Sequence, residues 1–287
     1  MLGLELWTKL GKPDFFSLWR ATQNSADIFH TPFANHYLRV DKHDHGRPRL
    51  SPSILRAYLT YTIISLAKHA KDAAALAETR RAHHAEVSQR KRLTAERLVT
   101  DALDPKLLSQ ASVLICGDIV RDMAHDVARP ESSTGELVRG SDIDLIFVTY
   151  HRDEAVEKDI EDAVLAQKHI YLRHPDYREE VDFKVRPIAE YLEAVRFRDP
   201  KDVIAVKVLL EARRLAGSPE PWRHALQLVS SFDAMQKINA LTEKAFSDRM
   251  KSIERLRKDT AFMDEEAYRK IFFFSEEYWE FALAKDE

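Results

Sequence analysis

The spacing of apolar residues changes character along the chain, and three regions follow from it. In the first, residues 1–110, the pattern is helical. The stretch 66-LAKHAKDAAALAETRRAHHAEVSQR-90 holds strong helix formers with no glycine or proline, and it is expected to run on, or break and restart, through 91-KRLTAERLVTDAL-103. Before it, 54-ILRAYLTYTIISL-66 is the most apolar window of the chain and reads as a buried helix, with Ser51 as N-cap and Pro52 in the first position. It falls short of the roughly 20 apolar residues a membrane span needs. The polar, punctuated stretch 35-NHYLRVDKHDHGRPRLSPS-53 reads as a loop.

Residues 111–190 read differently. A short apolar run, 112-SVLIC-116, ends at Gly117 and predicts a strand. Helical spacing follows over 118-DIVRDMAHDVA-128, then a loop over 129-RPESSTGELVRG-140. A second strand is expected in 142-DIDLIFVTY-150, a helix in 153-DEAVEKDIEDAVLAQKH-169, and a third strand in 180-EVDFKVRPI-188, where polar and apolar residues alternate. Residues 191–287 return to helix. Asp199 and Pro200 form a start signal for 201-KDVIAVKVLLEARRLAG-217, and Gly217 a stop. A helix over 236-QKINALTEKAFSDRMKSIERLRKD-259 precedes the aromatic tail 272-FFFSEEYWEFALA-284, read as packed on a core or a dimer surface. The expected fold class is α+β: a small mixed sheet with flanking helices between N-terminal and C-terminal helical regions.

Composition narrows the function classes. With 44 basic and 47 acidic residues among 287, the net charge of -3 points to neither a nucleic-acid nor a membrane partner on global grounds. One cysteine, Cys116, excludes an internal disulfide and fits a reducing, cytoplasmic setting. The start, MLGLELWTKLGKPDFF, lacks the features of a signal peptide, and no membrane partner is expected. Oligomeric state is not encoded in any motif. His36 and the stretch 43-HDHGRPR-49 read as polar loop residues rather than a metal cluster. The basic residues Arg80, Arg81, Arg90, Lys91, Arg92 and Arg97 read as a solvated helix face, with nucleic-acid phosphate as the competing role.

The chemistry concentrates in 140-GSDIDLIFVTY-150. Side chains alternate on a strand, so Asp142 and Asp144 share a face, about 7 Å apart. Ile143, Leu145 and Phe147 point the other way. Two carboxylates in that relation suit Mg²⁺, which favours oxygen ligands and sits between one or two carboxylates and substrate phosphates. Asp182, flanked by apolar residues in 181-VDFKV-185, is an acid in mid-strand, where acids are disfavoured, and is read as a third ligand.

Glycine at the end of one strand, D-hydrophobic-D opening the next and hydrophobic-D-hydrophobic on a third resemble the nucleotidyltransferase superfamily of the DNA polymerase β type. The resemblance covers about 111–190, under a third of the chain. The element 116-CGDIVRDMA-124 is similar to the Gly-Gly-x-Val-Arg-Asp stretch of tRNA CCA-adding enzymes. The resemblance implies Asp142, Asp144 and Asp182 as catalytic residues holding two Mg²⁺ ions, with Mn²⁺ as a substitute. It implies Gly117 in a triphosphate turn and Arg121 as a phosphate contact, with Asp118, Ser141, Lys184 and Lys207 completing the nucleotide-binding set. The implied reaction moves the nucleotidyl group of a nucleoside triphosphate, ATP included, to a hydroxyl and releases pyrophosphate. The acceptor is left open among an RNA end, a protein side chain, a small molecule and another nucleotide. The family usually has glycine or serine where this chain has Asp118, which keeps a second expectation in play: a non-catalytic scaffold of the same fold that binds a nucleotide or a partner.

Overall fold

The computed structural model describes residues 1–41, 46–131, 134–258, 271–274, 277 and 281. His43, His45, Tyr278 and Trp279, raised above, lie outside the described residues. The architecture is α+β, with small sheets and flanking helices. The chain divides into two compact units. One comprises Met1–Arg39, Pro48–His83 and Leu241–Glu287, and the other Val40–Arg47 and His84–Ala240. No helix among the described residues is long and apolar enough to cross a membrane.

The second unit carries a four-stranded sheet. Its strands are β1 (Ala111–Cys116), β2 (Ile143–Thr149), β3 (Val181–Pro187) and β4 (Arg213–Gly217), in the spatial order β4-β1-β2-β3. β1 runs antiparallel to β4 and β2, and β2 runs parallel to β3. A parallel neighbour requires a long crossover, and the helix Glu154–Arg173 supplies it, capped by Asp153, whose carboxylate accepts the amides of Ala155 and Val156. Interior β1 is buried at every position, as a strand with two neighbours and two covered faces should be. Edge strand β3 keeps its alternation. Val113, Ile115, Ile143, Leu145, Phe147 and Val181 form one core with Val87, Ala95, Leu98 and Val99 of the helix Ala70–Ala102 and with Ile160 and Val164 of the crossover helix. The opposite face carries Asp144, Ile146, Asp182, Lys184 and Arg186, with the helices Ile188–Ala194, Pro200–Glu211 and Glu220–Ser230 following β3 and flanking β4 in the chain.

The first unit is not all helix. Strands Ile28–Pro32 and Thr62–Leu66 pair antiparallel, and Tyr37–Asp41 pairs with Arg47–Ser51 where a loop was expected, the residues nearest their connection (Val40, Asp41 and Arg47) belonging to the second unit. The apolar window 54–66 splits into helix Ile54–Tyr61 and strand Thr62–Leu66, because β-branched Thr62, Ile63 and Ile64 suit a sheet. The N-cap is Ser53 rather than Ser51, its hydroxyl accepting the Arg56 amide at 3.0 Å. Trp7, Phe15, Trp19, Tyr58 and Phe272 build this unit's core, and Phe272 meets Trp19 edge-on at 5.2 Å. The tail aromatics Phe272 and Phe274 are thus packing residues.

Two further corrections concern the second unit. The stretch 118–128 forms only a three-residue turn, Ile119–Arg121, closed by Asp122 in the left-handed region at φ 57°. The helix opened by Asp199 ends at Glu211, and 213–217 becomes β4, drawn out of helix by the open edge of β1.

Candidate functional site

Strand direction brings the site together. β1 is antiparallel to β2, so the last residue of β1 lies beside the first residues of β2. β3 is parallel to β2, so its first residues arrive at the same end. The register pairs Cys116 with Asp144 and Asp144 with Asp182. Three segments far apart in sequence therefore meet at one end of the sheet. One carboxylate oxygen from each of Asp142, Asp144 and Asp182 lies within 4.8 Å of the others. Asp142 and Asp144 are partly buried and Asp182 is exposed.

Three like charges this close, on a sheet end with protein on two sides, are costly. Burial first, then the charges of Asp142, Asp182 and Asp118, push the Asp144 carboxyl well above the usual carboxylate range, while Lys207 opposes them. A divalent cation would relieve that strain, and all donors are the hard oxygens Mg²⁺ or Mn²⁺ prefers. The donor set fits the ion. Part of the charge is already met: Lys168, on the crossover helix, donates to Asp182 Oδ1 at 3.1 Å.

Gly117 turns the chain directly after β1 at φ 74°, and a Cβ there would lie 2.3 Å from Asp144 Oδ2. Only glycine lets this turn pass under the carboxylate. Asp118 is the next residue, and its charge adds to the acidity around Asp144. Arg121, at the end of the turn, donates to Glu211 Oε2 at 2.8 Å, and buried Lys207 donates to the same oxygen at 2.7 Å. Lys184 is exposed on β3, on the Asp182 face. Ser141 is buried: its amide donates to the His125 carbonyl at 3.0 Å and its hydroxyl accepts the His125 amide at 3.1 Å. Gly140 makes this possible, since a Cβ there would sit 1.8 Å from the His125 carbonyl oxygen. The expected loop 129–140 contains a short antiparallel pair, Ala128–Pro130 with Leu137–Arg139.

Behind the acids lies an ionic layer that the sequence reading missed. Lys91, one of the residues read as a solvated face, is 1% exposed, pairs with buried Glu179 and donates to the Arg139 carbonyl at 2.6 Å. Burial pulls its pKa down and Glu179 pushes it back up. Arg129 pairs with Glu180 at 2.7 Å and donates to the Gly140 carbonyl at 2.7 Å. The signal for Lys91 was present: it stands in line with Val87, Ala95 and Leu98 at helical spacing, on the apolar stripe. Arg81, Arg90 and Arg97 are exposed as expected, and Arg80 and Arg92 partly so. Cys116 is buried, its thiol donating to the Asp144 carbonyl at 3.6 Å, and burial raises its pKa well above the thiol range. Nothing pointed to Lys168 or Glu211 as site residues, because Lys168 meets Asp182, and Glu211 meets Arg121, only through tertiary contact. In comparison with known proteins, no family model, no curated protein and no solved structure matches this chain.

Proposed function

We propose that this protein is a divalent-metal-dependent nucleotidyltransferase that moves a nucleoside monophosphate from a nucleoside triphosphate to a hydroxyl acceptor. The observation that carries the reading is the in-register pairing of Asp144 with Asp182 across β2 and β3, with Asp142 alongside, at the sheet end where Gly117 turns. A carboxylate just before a strand, another on it and a third on its parallel neighbour form a donor set suited to two-metal phosphoryl chemistry. Mg²⁺ held by Asp142, Asp144 and Asp182 would supply charge neutralisation at the phosphoryl oxygens and activation of the attacking hydroxyl.

The chain's own residues do the rest. Asp182, the most exposed of the three, is where an acceptor hydroxyl can approach from solvent, and its carboxylate is placed to take that proton. The Gly117 turn gives a phosphate chain close access to the backbone beside Asp144. Arg121 and Lys207 offer cationic donors on the same side, and guanidinium geometry suits phosphate oxygens. Partly buried Asp142 and Asp144 hold position because Ser141 is bonded to the His125 backbone, which Gly140 lets approach closely, and because the layer of Lys91, Glu179, Arg129 and Glu180 supports the segments leading into β2 and β3. Catalysis of this kind rests mainly on positioning.

The test separates an enzyme from a scaffold. Binding of an α,β-methylene nucleoside triphosphate is titrated with and without Mg²⁺. The reading expects binding to weaken at least about tenfold without metal and the metal effect to vanish in Asp144→Asn. Equal affinity with and without metal would support the scaffold instead.

A further inference from the structure

Two cations from different elements converge on one carboxylate oxygen. Arg121 reaches Glu211 Oε2 from the turn after β1, and Lys207 reaches it from one helical turn earlier on Pro200–Glu211. Glu211 is the last residue of that helix. A carboxylate is unfavourable there, because it faces the negative end of the helix dipole. Lysine four residues before glutamate is also the weaker orientation of an ion pair on a helix. Helix stability therefore does not account for a glutamate at 211. Its neighbourhood does. Arg121 ends the short turn that follows Gly117, and Gly117 lies directly against the Asp144 carboxylate, so the trio is joined to the sheet end that carries the acids.

We propose that Glu211 is an internal stand-in for a phosphate, a carboxylate that occupies the Arg121–Lys207 pair at rest and must give it up when the phosphate chain of a nucleoside triphosphate binds. The inference rests on the nucleotidyltransferase reading for the identity of the ligand, though not for the competition itself. A phosphate group can satisfy both cations as the carboxylate does, with more charge and more acceptor oxygens. Glu211 then repels the arriving anion and holds its two donors in place until exchange. It also discriminates by charge: a ligand with a single weak anion does not displace it, whereas a polyphosphate does. Glu211 is a positioning and gating residue and touches no reacting atom.

The proposal predicts the sign of a substitution. A prop that merely orients Arg121 and Lys207 weakens binding when removed, and a competitor strengthens it. Calorimetric titration measures Mg²⁺-α,β-methylene-ATP and inorganic tripolyphosphate against the wild type, Glu211→Gln, Glu211→Ala and Arg121→Met/Lys207→Met. The expected result is tightening of both ligands by about five- to tenfold in each Glu211 variant, as for removing one like charge beside a bound anion, and loss of that gain when Glu211→Gln is combined with the double cation variant. Circular dichroism confirms that each variant is folded, and Glu211→Ala answers the question if Glu211→Gln is not. Unchanged or weaker binding in a folded Glu211 variant overturns the proposal. Tripolyphosphate binding tightened by Glu211→Gln, with no nucleotide transfer by the wild type, keeps this inference and removes the nucleotidyltransferase reading. Nucleotide transfer with no effect of Glu211 on affinity does the reverse.

Discussion

The carboxylate of Asp144 lies over Gly117, so close that a single added Cβ would meet Oδ2 at 2.3 Å. The turn and the acid are therefore one device: the backbone can pass there only because the side chain is absent. Gly117 also holds φ at 74°, which costs any other residue. Gly117→Ala is expected to lower stability by about 1–3 kcal/mol and, on the proposed function, to cut transfer by about 100-fold, because it displaces the Asp144 carboxylate. Urea unfolding and initial rates measured on one preparation check both halves.

Asp144 carries a stability cost that its chemistry explains. Its carboxyl is pushed up by burial and by Asp142 and Asp182. A carboxyl whose pKa is higher in the fold than in the unfolded chain opposes folding at pH values where both states are ionised, and that cost fades as pH falls into the range where the folded form keeps its proton. Metal-free Asp144→Asn should therefore melt higher than the wild type at pH 8, by about 2–4 °C. The gap should narrow as pH is lowered toward 5, and transfer should fall about 1,000-fold or more. A variant that melts lower than the wild type at pH 8 would remove the claim that the three acids are in conflict without metal.

Lys91 and Glu179 make a buried pair behind the site. Removing one partner leaves an uncompensated charge, so Lys91→Met is expected to destabilise by about 3–5 kcal/mol. Lys91→Met/Glu179→Leu should recover most of that loss, since an apolar pair of similar volume avoids burying charge. Chemical denaturation of the three variants checks the sign of the coupling.

In the first unit, His36 sets a pH dependence of its own. Burial, then the charge of Arg249, lowers its pKa to about 4, and its Nε2 is buried without a hydrogen-bond partner among the described residues. Above about pH 6.5 the imidazole is neutral in both states. Between there and pH 4 only the unfolded chain takes up the proton, so stability is full above that window and is lost as pH falls through it. The loss is on the order of 1 kcal/mol after allowing for partial exposure. His36→Gln should flatten the slope of melting temperature against pH between 7 and 4.5.

Much of the second unit was legible in the sequence because its signals are local. β1, β2, β3, the crossover helix and the Asp199–Pro200 start all follow from period, caps and glycine position. The closeness of the Asp142 and Asp144 carboxylates was expected too, though Asp142 stands just before β2 rather than on it. What was not legible depends on partners. Residues 213–217 have helical composition and became a strand because β1 had an edge to fill. The helix expected over 118–128 gave way to a turn ending at Asp122 in the left-handed region. Thr62–Leu66 left its helix to pair with Ile28–Pro32. In the site, Glu211 and Lys168 came into view only once the fold brought Glu211 to Arg121 and Lys168 to Asp182. Ser141, expected among the nucleotide-binding residues, is bonded on both its amide and its hydroxyl to the His125 backbone.

The most direct measurement incubates the purified protein with Mg²⁺ and each of the four α-³²P nucleoside triphosphates, with and without total cellular RNA, beside Asp142→Ala/Asp144→Ala. The account predicts label in RNA, in protein or in a new small product, dependent on metal and absent in the variant, with the labelled species identifying the acceptor class. No label transferred by the wild type under any of these conditions, together with triphosphate binding indifferent to Mg²⁺, would contradict it and leave the three aspartates without a catalytic role.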